Sequence, residues 1–94
     1  MSRKRIRATV YGRVQRVAFR ECARREAALL GVSGWVRNQS DGTVLVLCEG
    51  EAAQVDALVD WLAVGPPYAA VTRVDWHEEE PQGASGPLAI RYVS

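Results

Sequence analysis

The sequence predicts an α+β sandwich, with two helices lying on one face of a mostly antiparallel sheet. Three observations carry that expectation. Stretches with a two-residue hydrophobic period and stretches with a helical period follow one another in the order β-α-β-β-α-β. The turn-rich segment Asn38-Gln39-Ser40-Asp41-Gly42 joins the two middle strands as a hairpin. The chain of 94 residues is long enough for one two-layer core and little more. This order is the split βαβ, ferredoxin-like α/β sandwich, with a short extra strand at the end.

Residues 5 to 11 alternate, with Ile6, Ala8 and Val10 on one face and Arg5, Arg7, Thr9 and Tyr11 on the other. That is a strand with one buried side, and its open face can stay wet. From Phe19 the apolar positions become Phe19, Cys22, Ala23, Ala27 and Leu30, with Arg24, Arg25 and Glu26 mostly elsewhere and Gly31 where a helix C-cap belongs. Residues 32 to 38 read as the second strand and Thr43 to Glu49 as the third. Gly50 and Glu51 lead into a second helix carrying Val55, Leu58, Val59 and Leu62 on one side, which Gly65-Pro66-Pro67 stops. A fourth strand covers residues 71 to 78, with Val74 and Trp76 on one face. After a loop from Glu79 to Gly86, a short fifth strand takes Leu88, Ile90 and Tyr92. No internal boundary, repeat or low-complexity segment is visible, so residues 1–94 read as one domain.

Composition narrows the function classes. With 48% hydrophobic and 24% charged residues the chain is neither disordered nor membrane-embedded in character, and its formal charge of +1 carries no message about polyanionic partners. No apolar run approaches a membrane span, and the basic start Met-Ser-Arg-Lys-Arg is followed by an alternating strand rather than a signal-peptide core. A cytoplasmic location is the expectation. Cys22 and Cys48 have no metal-ligand spacing and read as reduced and packed.

The stretch Gly12-Arg13-Val14-Gln15-Arg16-Val17-Ala18-Phe19-Arg20 lies between the first strand and the first helix. Unpaired N–H groups at a helix N-terminus carry partial positive charge and hold anions, and Arg20 adds a planar fork that a phosphate accepts in pairs. The glycine-lysine-serine/threonine of nucleotide hydrolases is missing, and so is the dinucleotide glycine fingerprint. What remains is a one-arginine cradle suited to a small phosphorylated compound. Spacing alone leaves Arg20 equally open to a surface pairing with a carboxylate. For Asn38, spacing alone favours a turn residue before Asp41-Gly42.

Gly-Arg-Val-Gln-x-Val-x-Phe-Arg at Gly12 to Arg20, then Gly34-Trp35-Val36-Arg37-Asn38, Asp41-Gly42 and Gly65-Pro66-Pro67, together resemble the acylphosphatase family over nearly the whole chain. The resemblance implies a core strand order 4-1-3-2, with the fifth strand at the edge beside the second. It implies that Arg20 and the backbone N–H groups of Gln15, Arg16, Val17, Ala18 and Phe19 hold the phosphate, and that Asn38 orients the attacking water. It also implies hydrolysis of small acyl phosphates such as acetyl phosphate, carbamoyl phosphate or 1,3-bisphosphoglycerate, with no metal, no cofactor and no covalent intermediate. A carboxylate leaves easily, so such a bond needs neither a strong base nor a metal, and the sequence places no histidine or carboxylate cluster near the loop. A monomer with no nucleic-acid or membrane partner is expected.

Other residues have duller expectations. Trp35 and Trp61 read as core or helix-sheet packing, His77 as a solvated surface residue, Glu78-Glu79-Glu80 as a solvated strand end, and Gln15 as a contributor of backbone geometry. The alternative function is a ferredoxin-like binding module for RNA, which the basic Arg3-Lys4-Arg5 and Arg7 invite. Thr43-Val44-Leu45-Val46-Leu47 offers none of the exposed aromatics such a module needs. A carbamoyl-phosphate-processing domain of a hydrogenase maturation factor shares the fold, and an end at Ser94 is expected of a free-standing enzyme instead.

One departure from the family pattern is visible: glycine is usual where this chain has Arg16, and glycine or another small residue is common where it has Ala18. Glycine in mid-loop points to a positive φ or a close approach of the chain to the phosphate, where a side chain costs on the order of 1 kcal/mol. Arg16 then strains the loop, adds a contact at its mouth, or points into solvent. Of the first two, strain is preferred, because one arginine supplies the charge that a single phosphoryl group needs.

Overall fold

The computed structural model describes residues 2–92 and has five strands and two helices in the order β1 (Arg3–Arg13), α1 (Phe19–Leu30), β2 (Ser33–Asn38), β3 (Val44–Glu51), α2 (Ala52–Leu62), β4 (Ala70–Glu79) and β5 (Ala89–Arg91). The sheet order is β4-β1-β3-β2-β5, as the resemblance implied. All pairings are antiparallel except β2 with β5, which run parallel.

The alternation of β1 does the expected sorting. Ile6, Ala8 and Val10 face the helices and are buried with Val44, Val46 and Cys48 of β3 and Val36 of β2. The helices meet that face through Phe19, Ala23 and Ala27 of α1 and Val55, Leu58 and Leu62 of α2, so each apolar stripe finds the same core. The Phe19 and Trp61 rings, 5.6 Å apart and tilted, join the two helices beside the loop that precedes α1. Gly65, at φ +71°, lies against this junction. A Cβ there would sit 2.9 Å from Phe19 Cε2, so the glycine both makes the turn and admits the ring.

The opposite face of the sheet departs from the expectation. It is not simply wet, because Leu45 and Leu47 of β3 are nearly covered, and Trp35 lies on this face rather than between helix and sheet. The guanidinium carbons of Arg7, Arg37 and Arg91 lie 5.7, 5.1 and 5.0 Å from the Trp35 ring centroid. Arginine stems with charged ends in water make a cover that leucine alone cannot. Nor is Glu79 solvated, since it closes β4 in ion pairs with Arg7 at 2.8 Å and Arg5 at 3.1 Å. His77 is exposed, as expected, 3.4 Å from the same carboxylate.

Arg5 is itself buried, and the reason is Glu49, whose side chain has no exposed surface. Glu49 accepts hydrogen bonds from Arg5 at 3.1 Å and from the backbone N–H groups of Gln82, Gly83 and Ala84 at 3.0, 2.8 and 2.9 Å. Burial pushes its pKa up, but the Gln82 N–H, the Arg5 guanidinium and the Ala84 and Gly83 N–H groups outweigh burial and hold it at about 2. The segment after β4 is thereby tied to the end of β3 remote from Asn38.

Element boundaries differ as well. The first strand runs from Arg3 to Arg13, Glu79 belongs to β4 instead of the following loop, and β5 is only Ala89–Arg91, with Leu88 buried before it and Tyr92 exposed after it. Cys22 and Cys48 are free thiols, and burial pushes the Cys48 thiol up to about 12.

Candidate active site

β1 ends in a bulge at Tyr11/Gly12, where Gly12 takes φ +117° and a Cβ would come 2.2 Å from Ala70 O. The bulge sends the chain off the sheet into the 14–18 loop. Val14 is buried at the start of this loop and Phe19 at its end, which pins both sides of an exposed arch. Within the arch Arg16 and Ala18 adopt φ +63° and +59°, and they are the non-glycine residues with positive φ among the described residues. Arg16 is the position where the sequence departs from the family pattern. The backbone at Arg16 is therefore in the left-handed region that glycine occupies at no cost. Arg16→Gly is expected to raise stability by about 1 kcal/mol, seen as a rise of roughly 5 °C in Tm. An unchanged or lowered Tm would contradict strain at this position.

The helix that follows begins without a side-chain cap. None of the N–H groups from Gln15 to Arg20 donates to a backbone carbonyl among the described residues, so the first turn of α1 and the arch before it present uncommitted donors. Arg20 stands in that first turn. Its guanidinium carbon lies 4.8 Å from the Tyr92 ring centroid, and Nη1 donates to Arg91 O at 3.2 Å. A stacked face and one anchored nitrogen leave the rest of the fork available for an anion.

Asn38 ends β2 and reaches the same place because β3 lies between it and β1, with Val10 and Asn38 both paired to Val44. Its Oδ1 is shielded and has no hydrogen-bond partner among the described residues. An acceptor left in that state costs about 1–3 kcal/mol, which invites a donor from a ligand or a water. Gln15 joins the two halves through its side chain rather than its backbone. Its Nε2 donates to Gln39 O at 2.8 Å and Thr43 O at 2.9 Å, tying the arch to the base of the β2–β3 turn.

Arg16, Ala18, Arg20 and Asn38 line one cleft of about 260 Å³ together with Glu21, Ile90 and Tyr92. A larger cleft of about 480 Å³ lies elsewhere, and its charged lining residue, Arg3, is already engaged by Ala84 O and Glu49. The arch cleft instead brings Arg20 and the unpartnered Asn38 Oδ1 together. Its one carboxylate, Glu21, is held below the usual carboxylate range by a hydrogen bond from Arg24, with Arg25 3.5 Å away. Among the described residues no three His, Cys, Asp or Glu side chains stand together as metal ligands would.

Sequence reasoning named Arg16, Ala18, Arg20 and Asn38 and missed Glu21, Ile90 and Tyr92. Glu21, one residue beyond Arg20, was within reach of the motif. Ile90 and Tyr92 arrive only through the parallel β2–β5 pairing, which aligns Arg37 with Arg91 and carries Tyr92 to the Asn38 end. No local pattern announces that pairing. Gln15, Val17 and Phe19 do not line the cleft. Gln15 braces it, Val17 packs on the core and Phe19 is buried.

Comparison with known proteins bears on the family and the fold. The family model for acylphosphatase matches residues 6–86. An acylphosphatase of Thermococcus kodakarensis is 52% identical over 86 residues, covering 92% of this chain and 94% of the relative. The solved acylphosphatase of Coxiella burnetii superposes with a TM-score of 0.89 at 40% identity, covering 95% of this chain and 93% of that one. That of Bacillus subtilis gives 0.90 at 32% identity, with 95% and 99% covered. With a family match across most of its length and about half of the aligned residues shared with a curated relative, the chain belongs to the acylphosphatase family.

Proposed function

We infer that this protein is an enzyme, an acylphosphatase that hydrolyses the carboxyl-phosphate bond of small acyl phosphates to a carboxylate and inorganic phosphate. Beside the family membership, the observation that carries the reading is a single one: an arginine fork and an unpartnered amide oxygen line the same small cleft. The phosphoryl group sits in the arch, its oxygens accepting from Arg20 and from N–H groups between Gln15 and Phe19. Asn38 Oδ1 accepts a hydrogen from the attacking water and holds it in line with the acyl oxygen. The water oxygen bonds to phosphorus, the bond from phosphorus to the acyl oxygen breaks, and the carboxylate departs with that electron pair. The water proton passes to a phosphoryl oxygen. The leaving group is already a weak base, so no general acid is needed, and the protein's contribution is position and charge.

The one carboxylate of the cleft, Glu21, is engaged by Arg24 and Arg25, so we assign the reaction no metal and no cofactor. Phosphate release from benzoyl phosphate is expected at the same rate with and without excess EDTA. Loss of activity in chelator would contradict the metal-free reading, and no hydrolysis at all would remove the enzyme reading. Asn38→Ala is expected to lower kcat by about 100-fold or more while inorganic phosphate still inhibits with nearly its original constant, because water placement acts on the transition state and not on ground-state binding. If phosphate inhibition vanished too, Asn38 would be a binding residue.

The free thiols Cys22 and Cys48 suit a reducing compartment such as the cytoplasm. No helix among the described residues is long and apolar enough to cross a membrane. For the RNA-binding alternative, the open-face positions of β3 are Leu45 and Leu47, nearly covered and unable to stack bases.

A further inference from the structure

We propose that Arg16 makes this site selective for acyl phosphates whose acyl group carries a second negative charge. The proposal rests on the acyl phosphate reading above and names a narrower class of substrate within it.

Arg16 lines the same cleft as Arg20 and Asn38, its side chain is exposed, and it has no ion pair or hydrogen bond with any described residue. The carboxylate nearest to hand cannot neutralise it, because Glu21 is already held by Arg24 and Arg25. The phosphoryl group does not require it either, since Arg20 and the arch N–H groups already supply donors and charge for one phosphate. The cleft therefore carries a surplus cation. Ile90 and Tyr92 also line the cleft, surfaces against which the carbon skeleton of an acyl group can lie, and Tyr92 is itself largely exposed at the mouth. A substrate bound with its phosphoryl group on Arg20 keeps its far end at that mouth, where a carboxylate or second phosphate meets Arg16 and a neutral group gains nothing from it. The left-handed φ of +63° fits the same account. A long side chain held where glycine would be relaxed is a strain that function can explain.

The test compares para-carboxybenzoyl phosphate with its neutral isostere, para-carbamoylbenzoyl phosphate, and reads the ratio of their kcat/KM values in wild type, Arg16→Gln, Arg16→Gly and Arg16→Lys. Taking the ratio removes any loss of strain or loop geometry common to both substrates. At low ionic strength Arg16→Gln and Arg16→Gly are expected to lower the ratio by about five-fold, Arg16→Lys is expected to keep most of it, and the differences should shrink in about 0.5 M salt. A ratio unchanged in Arg16→Gln would overturn the proposal, and so would an equal loss on both substrates, which would make Arg16 a phosphoryl ligand. Failure of wild type to hydrolyse either compound or benzoyl phosphate would remove the acyl phosphate reading itself.

Discussion

Arg20→Ala is expected to lose at least about 100-fold in kcat/KM, with far-ultraviolet circular dichroism and Tm close to wild type. Arg20 combines a place in the first turn of α1 with anchors on two sides, Tyr92 beneath its plane and Arg91 O at one nitrogen. Those anchors remove rotamer freedom before substrate arrives, so the fork loses little entropy on binding. The negative charge on the phosphoryl oxygens shifts as the acyl oxygen leaves, and a rigid bidentate donor follows it with no reorganisation. Arg20→Lys should recover little, because an ammonium cannot both stack on Tyr92 and present two parallel donors. Near-normal activity in Arg20→Ala would take the cradle out of the mechanism.

The second large effect is on stability and lies at the far end of the sheet. Glu49→Ala is expected to lower the free energy of unfolding by about 3 kcal/mol and Tm by roughly 15 °C, since it leaves the N–H groups of Gln82, Gly83 and Ala84 without an acceptor and takes from the buried Arg5 guanidinium one of its two carboxylate partners, Glu79 being the other. Glu49→Gln should restore little, because an amide brings a donor to face donors. The folded pKa of about 2 lies below the usual 4.5 of a glutamate, so this carboxylate adds stability above the unfolded value and loses it as the pH falls from 4.5 through 2. Glu79, held at about 2 chiefly by Arg7 and then Arg5, acts in the same direction over the same window. Wild-type Tm should thus be flat near neutrality and fall below about pH 4.5, and Glu49→Gln should show a shallower fall. An identical acid profile in the mutant would remove Glu49 from the account. Its kcat/KM, measured below its Tm, should stay within about two-fold of wild type because Glu49 lies at the end of β3 away from Asn38.

These two residues show what the sequence could and could not disclose. Arg20 stands in a nine-residue motif between a strand and a helix, and the periodicities on either side are strong enough to place it. The core was legible for the same reason: the alternation of Ile6, Ala8 and Val10 and the helical spacing of Phe19, Ala23 and Ala27 are local signals of burial. Glu49 looks like the polar end of a strand, and its burial depends on backbone donors 33 to 35 residues later in the chain. Trp35 was within reach, because a buried Val36 forces its neighbour to the other face, yet an aromatic residue invites assignment to the core. Tyr92 and the bracing bonds of Gln15 depend on pairings between distant segments. The left-handed backbone at Arg16 was signalled only through the family pattern, since arginine itself gives no hint of positive φ.

The account turns on the phosphoryl group being the centre that water attacks. Hydrolysis of benzoyl phosphate in water labelled with heavy oxygen, corrected for the enzyme-free reaction, decides this directly. Attack at phosphorus, with the phosphoryl group held by Arg20 and the arch and the water by Asn38, puts the label in inorganic phosphate and leaves benzoate unlabelled. Label in the benzoate carboxyl group would mean attack at carbon and would contradict the assigned roles of Arg20 and Asn38 together.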